Sequence, residues 1–377
     1  MIDLPRARFK ERPDDFVVEE IPAYEPVGAG THVYVRFTKT DRTTLDVVRD
    51  VARALGCDAR AAGFAGMKDR RAVTTQTISL EAPRGVDPND LARRALSLSL
   101  DGVVVHAARP HGNKLKPGHL AGNRFAITLR GVASERVAEV TGALERMARD
   151  GVPNAFGAQR FGAAGDNAER ALAWLRGQER PPRDPRLQRL LWSSLQSAVF
   201  NEVLRERVRD GSWASALEGD LLKLRSSGGL FVCADVQTDR VRAVTGEVSP
   251  TGPILGARMR WPEGAAAAIE RRVADTILGE DFDLGKTRSL GEGSRRALRL
   301  WIEELRWEVT GEPQGDNRNP VGNATTCVRV YFVLPKGAYA TTVLGAAVAI
   351  DERAAREQTG DAPDPTREEP QEREDET

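Results

Sequence analysis

A strand pattern that stops and later resumes constrains this chain most. Residues DFVVEEI (15–21), THVYVRF (31–37), AVTTQTISL (72–80), DGVVVHAAR (101–109) and NRFAITLRG (123–131) alternate apolar with polar side chains. That period of two marks half-buried strands. Between them, TTLDVVRDVARAL (43–55), NDLARRALSL (89–98) and SERVAEVTGALERMARD (134–150) carry apolar residues at helical spacing. After GVPNAFGAQRFG (151–162) the character changes: DNAERALAWLRG and LQRLLWSSLQSAVFNEVLRERVRD (187–210) are helical. GDLLKL and GLFVCA are short strands, SPTGPILGARMRWPEG (249–264) is a Gly/Pro-bounded connection, and helices follow at 265–278 and 293–304. Strands then return in LRWEVTG (305–311) and TCVRVYFVLP (326–335). Strands need partners for their backbone groups. The late strands are therefore expected to complete the first sheet. The expected fold is α+β, with a discontinuous domain of residues 1–153 and 305–350. A domain of 154–304 is inserted into it, and a tail of 351–377 follows.

The tail, DERAAREQTGDAPDPTREEPQEREDET, has proline, no aromatic residue and many charges, and is expected to be disordered. It also hides the charge of the rest. The chain as a whole is neutral, but without 351–377 it holds 51 basic against 44 acidic side chains. That excess, mostly arginine, has the sign a phosphate-binding surface needs. Arginine-rich base composition of a genome produces the same excess.

Other chemistries find little support. Cys57, Cys233 and Cys327 are far apart and form no CxxC pair, so neither a disulfide framework nor a zinc site is expected. His32, His106, His111 and His119 fit no zinc spacing. No nucleotide-binding motif is present, and no cofactor is expected. No apolar run reaches the roughly 20 residues of a membrane helix, and the charged start, MIDLPRARFKERPDDF, lacks a signal core. A cytoplasmic monomer with no membrane contact is expected.

Three short stretches carry candidate chemistry. FAGMKDRRAVTTQ (64–76) sets Asp69 between Lys68 and Arg70 on a turn entered by Gly63 and Gly66. A carboxylate beside positive charge is anionic at neutral pH. It is either a nucleophile or base held ready, or a solvated ion pair of little energetic weight. GNKLKPGHLAGNRF (112–125) offers Lys114 and Lys116 to phosphates, then Asn123 and Phe125 to the edge and face of an unpaired base. The plain alternative is a basic surface loop with Phe125 in the core. PNAFGAQRFG (153–162) reads as an interdomain hinge, a cleft lining or a packed linker.

In order, the blocks DFVVEE, FAGMKDRRAVTTQ, KLKPGHLAGNRF, PNAFGAQRFG, SLQSAVFNEVLRERV, GDLL, GPILG, GSRRAL and LPKGAYAT resemble the TruD family of tRNA pseudouridine synthases, from about residue 8 to 344. The resemblance implies a pseudouridine-synthase catalytic core with a mixed, largely antiparallel sheet and an inserted α/β domain characteristic of the family. It implies isomerisation of a specific uridine of tRNA, usually uridine 13, to pseudouridine. The family's catalytic aspartate falls on Asp69, and its active-site asparagine and phenylalanine on Asn123 and Phe125.

The base must leave its stack to react, and Phe125 would hold it by its face. Lys114, Lys116, Lys68 and Arg70 would grip the backbone in a positive cleft between core and insert. Asp69 would attack C1′, add to C6, or assist proton removal at C2′. Gln76 is read as structural support and Glu20 as a minor candidate facing the cleft. Ala155, Gly345 and Ala346 depart from residues common in the family's hinge and final motifs. A non-catalytic RNA-binding or chaperone protein is the alternative, and a base-excising glycosidase a weaker one.

Overall fold

The computed structural model describes residues 3–311 and 325–351. The tail read from 351 onward lies, past Asp351, outside the described residues. Contacts divide the described residues into two compact units. One takes the residues up to Glu145, Glu303–Ala340 and the residues from Ala347; the other takes Arg146–Ile302 and Thr341–Ala346.

The first unit is built on a ten-stranded mixed sheet. Its first seven strands are β1 (Arg6–Arg8), β2 (Phe16–Pro22), β3 (His32–Thr40), β4 (Gly63–Phe64), β5 (Val73–Glu81), β6 (Val103–His111) and β7 (Leu120–Ala133). Strands Glu303–Gly311, Thr325–Pro335 and Ala349–Asp351 complete it. The main path runs from Glu303–Gly311 through Thr325–Pro335, β7, β2, β5 and β3 to β6. Pairing is parallel between β2 and β5 and between β1 and Ala349–Asp351, and antiparallel elsewhere. The α+β class and the mixed, largely antiparallel sheet expected from sequence are therefore present.

Helices α1 (Thr44–Leu55) and α2 (Pro88–Leu96) cover one part of this sheet. Thr43 caps α1 by accepting the Asp46 N–H, and Gly56, at φ 75°, ends it in the left-handed region. Val47, Val48, Val51 and Leu55 of α1 join Leu91 and Ala95 of α2 against Val33, Val35, Phe37, Ile78 and Leu80. The alternation read in β3 and β5 is the packing of these rows. Helix α3 (Val137–Asp150) buries Val140 and Leu144, and β7 buries Ile127 and Leu129.

In the second unit, helices Asn167–Leu175, Pro185–Arg209 and Gly264–Leu278 form a core around Trp192, Leu195, Val199 and Val273. A four-stranded sheet has the order Leu230–Val232, Leu221–Leu224, Val248–Ile254, Ser294–Ala297. Two sequence expectations fail here. The connection expected over 249–264 opens with a buried strand, Val248–Ile254, despite Pro250 and Pro253. Its first half is in register with Leu221–Leu224 and its second with Ser294–Ala297, and the Pro250 carbonyl accepts the Leu298 N–H. The change of partner midway lets the strand carry two residues that lack a backbone donor. The helix expected over 293–304 is instead strand. Ser294–Ala297 joins the sheet and Arg299–Leu300 pairs with Val152–Pro153. Long-range pairing overrides the local apolar spacing of that run.

Candidate active site

Strand register places the candidate residues of β2, β3, β5 and β7 on one face of the first sheet. Phe125 stands opposite Phe332 and Val18, Val18 opposite Thr74, and Thr74 opposite Lys39. In the next row Asn123 stands opposite Leu334 and Glu20, and Gln76 opposite Phe37. Directly opposite residues share a face. This is the face on which α1 and α2 pack, so the apolar rows of β3 and β5 continue into a polar strip of Lys39, Thr74, Gln76 and Glu20, all buried.

The turn carrying Asp69 is fastened over this strip by a short relay. The Lys68 N–H donates to Thr44 Oγ1 at 3.0 Å, and that hydroxyl donates to Gln76 Oε1 at 3.0 Å. Thr44 is the first residue of α1, so the helix start anchors the turn. The relay orients the Gln76 amide and leaves its buried Nε2 without a partner among the described residues. Lys68 Nζ donates to Glu20 Oε2 at 2.9 Å, with the two side chains 9% and 2% exposed. Lys39 Nζ donates to the backbone carbonyl of Asp69 at 2.7 Å. Burial pulls the Lys39 ammonium down to about 8; the carboxylates of Asp69 and Asp41 oppose that shift, and Lys68 adds to it.

The Asp69 carboxylate itself faces outward, its side chain 52% exposed, with Oδ1 3.3 Å from Lys10 Nζ. Lys10 holds a left-handed backbone at φ 57° and its ammonium lies 3.9 Å from the centroid of the Phe16 ring. The Phe16 ring is 6.1 Å from that of Phe125, which stacks on Phe332 at 5.2 Å. A continuous set of contacts therefore leads from the carboxylate through Lys10 to the aromatic group on β7.

The residues singled out in the sequence are placed differently from one another. Asp69, Asn123 and Phe125 belong to this face and the turn above it. Phe125 is only 6% exposed, and Asn123 Oδ1 is buried with no partner among the described residues. Lys68 points inward to Glu20, so its charge is already neutralised at short range. Arg70 is exposed, its Nε 4.0 Å from Asp41 Oδ1. Lys114 and Lys116 are exposed on a loop that docks against the start of the Asp69 turn. There the Leu115 N–H donates to Ser79 Oγ at 2.9 Å and the Gly118 N–H to the Ala65 carbonyl at 2.9 Å. Gly63 permits that docking, because a Cβ at Gly63 would lie 2.2 Å from the Leu115 carbonyl oxygen.

Sequence reading missed Lys10, Lys39 and Thr44. Lys39 had a readable signal: it follows Val33, Val35 and Phe37 in phase, where an apolar residue belongs. No group of three His, Cys, Asp or Glu side chains among the described residues is placed to hold a metal, and no described helix is long and apolar enough to cross a membrane.

PNAFGAQRFG lies in the second unit. Phe156 is faced there by the Arg296 guanidinium at 4.1 Å and packs edge-on to Phe200 at 5.4 Å. The Asn201 side chain bonds both its N–H and its carbonyl, at 2.8 and 2.9 Å.

Comparisons with known proteins agree on one family. Residues 5–177 and 182–346 match the model described as tRNA pseudouridine synthase D (TruD). The chain is 44% identical to tRNA pseudouridine synthase D of Anaeromyxobacter dehalogenans over 351 residues, 91% of this chain and 93% of that one. It is 37% identical to tRNA pseudouridine synthase D of Thermus thermophilus, over 91% of this chain and 89% of that one. A crystal structure from Methanosarcina mazei that carries the TruD name shares the fold, with TM-score 0.72, 24% identity and coverage of 92% and 94%.

Proposed function

Because the chain belongs to the TruD family of tRNA pseudouridine synthases, we propose that it isomerises uridine 13 of tRNA to pseudouridine with Asp69 as the essential carboxylate. One observation carries the reading. Asp69 is the exposed end of a turn that Lys39, Thr44 and Lys10 hold over the face bearing Phe125 and Asn123. A carboxylate fixed in this way meets the main demand of the reaction, a group already oriented when the nucleotide arrives.

The isomerisation breaks N1–C1′, turns the uracil and joins C5 to C1′. The hydrogen on C5 leaves as a proton and N1 ends protonated, so no oxidant or phosphate is consumed. The target base must first swing out of its stack. The stacked pair Phe125–Phe332 offers an apolar edge to the ring, and Asn123 contributes an amide beside it. Asp69 attacks C1′, adds to C6, or takes a proton from C2′; each route needs the same single carboxylate. Lys114, Lys116 and Arg70 supply phosphate contacts. Lys68 instead holds Glu20 and shapes the floor of the site.

The test uses tRNA carrying tritium at uridine C5. Wild type releases tritium to solvent, and Asp69→Asn slows release by at least about a thousandfold, as loss of a nucleophile does, while still binding the tRNA. Release by Asp69→Asn at a rate near wild type removes Asp69 from this role. Sequencing of pseudouridine in the product fixes the position.

A further inference from the structure

Beside the loop of Lys114 and Lys116 lies a stack of rings that the reaction does not use. The Tyr24 ring, 38% exposed, stacks on His111 with centroids 5.5 Å apart and planes 23° from parallel. His111 in turn packs on Tyr34 at 4.6 Å. Tyr24 Oη shares a 2.8 Å hydrogen bond with His119 Nδ1 and lies 3.3 Å from Tyr34 Oη. The stack is tied to the site: Tyr34 is 4% exposed and packs with Leu115, between the two lysines, and with Ala65 on the Asp69 turn. A tyrosine backed in this way holds its ring rigidly at the surface, where such an amphipathic residue costs little entropy to immobilise.

The chemistry around the ring is selective. Lys114 and Lys116 are exposed and have no carboxylate partner among the described residues, and no acidic residue stands in their loop, whereas Glu25 directly follows Tyr24. A rigid aromatic face against a loop that carries unpaired cations suits an unpaired nucleotide, its base on the ring and its phosphates on the ammonium groups. Tyr34 alternates with Val33, Val35, Phe37 and Lys39 and so points to the opposite face of β3. The platform reaches the Asp69 turn from that side, through the packing of Tyr34 on Ala65, four residues before Asp69.

We propose that Tyr24, backed by His111 and bonded to the loop that carries Lys114 and Lys116, is a stacking subsite for an unpaired nucleotide next to the target uridine. This rests on the isomerase reading for its substrate, although RNA binding tests it separately. The platform selects RNA whose target lies in an unstacked segment, and it contributes affinity rather than bond chemistry.

The experiment measures RNA binding by anisotropy, and tritium release in parallel, for wild type, Tyr24→Ala, Tyr24→Phe and the double variant Lys114→Gln/Lys116→Gln. Loss of a base stack weakens binding about tenfold in Tyr24→Ala and raises KM more than it lowers kcat. Tyr24→Phe keeps the ring and stays within about twofold of wild type. The double lysine variant lowers the salt dependence of binding by about two phosphate contacts. 2-Aminopurine placed beside the target is quenched by wild type and not by Tyr24→Ala. Binding by a folded Tyr24→Ala protein within twofold of wild type, or unaltered quenching, overturns the subsite. If wild type binds RNA with this Tyr24 dependence but releases no tritium, the subsite stands and the isomerase reading falls.

Discussion

Lys39 occupies a position where the alternation of β3 calls for an apolar side chain, and its ammonium is fully buried. It holds the Asp69 carbonyl at 2.7 Å. The charged form is penalised by burial, which brings its pKa to about 8. The sign of the linkage follows. The unfolded chain binds the proton more tightly, so the penalty is fully present below pH 8 and disappears as pH rises from there toward the ordinary lysine value. Raising the pH from 7 to 9.5 is expected to stabilise wild type relative to Lys39→Met by about 2 kcal/mol. Urea unfolding at the two pH values measures this, and equal shifts in both proteins would show that Lys39 is not buried as a cation. The outcome is worth knowing because the same ammonium positions the turn on which the chemistry is proposed to depend.

At the scale of elements, the site depends on one close approach and the second unit on buried ion pairs. The loop 112–119 docks on β4 only because Gly63 has no Cβ. Gly63→Ala is expected to cost about 1–3 kcal/mol, as overpacking does, and to release the loop. Faster proteolysis near Lys114 and Lys116 would accompany the lowered urea midpoint. In the second unit, Arg295 bonds Glu270 through both terminal nitrogens, at 2.7 and 2.5 Å, with both side chains buried. Burial pushes the Glu270 carboxyl up, while Arg295 opposes that shift. Arg295→Ala strands the carboxylate and should cost about 3–5 kcal/mol at neutral pH. The loss should shrink as pH falls and Glu270 takes up a proton; a loss independent of pH would point to packing instead. This pair also explains why the run 293–304 misleads as a sequence: its apolar residues have helical spacing, but Arg295 and Arg299 are buried by partners far along the chain.

For the whole molecule, charge is distributed unevenly along the chain. The residues before 351 carry an excess of seven positive charges, and those from 351 on cancel it. Deleting residues 352–377 is therefore expected to tighten RNA binding at low salt, with the gain fading as salt screens it. A titration of RNA binding against salt for both forms reads this directly; equal affinities at low salt would mean that the acidic segment does not compete with RNA.

The motif blocks, the period-two runs and the family they resemble were all legible in the sequence, because each depends on residues close together in the chain. They yielded the mixed sheet, the Asp69 turn and the loop of Lys114 and Lys116. Only the tertiary structure decided which charges are spent and which are free. Lys68 faces Glu20, 48 residues earlier, and Lys39 reaches Asp69, 30 residues later. Strand pairing likewise turned 249–254 and 294–297 into sheet. The reason is physical: a side chain's exposure and partners are set by register between distant strands, and a local pattern carries no record of that register.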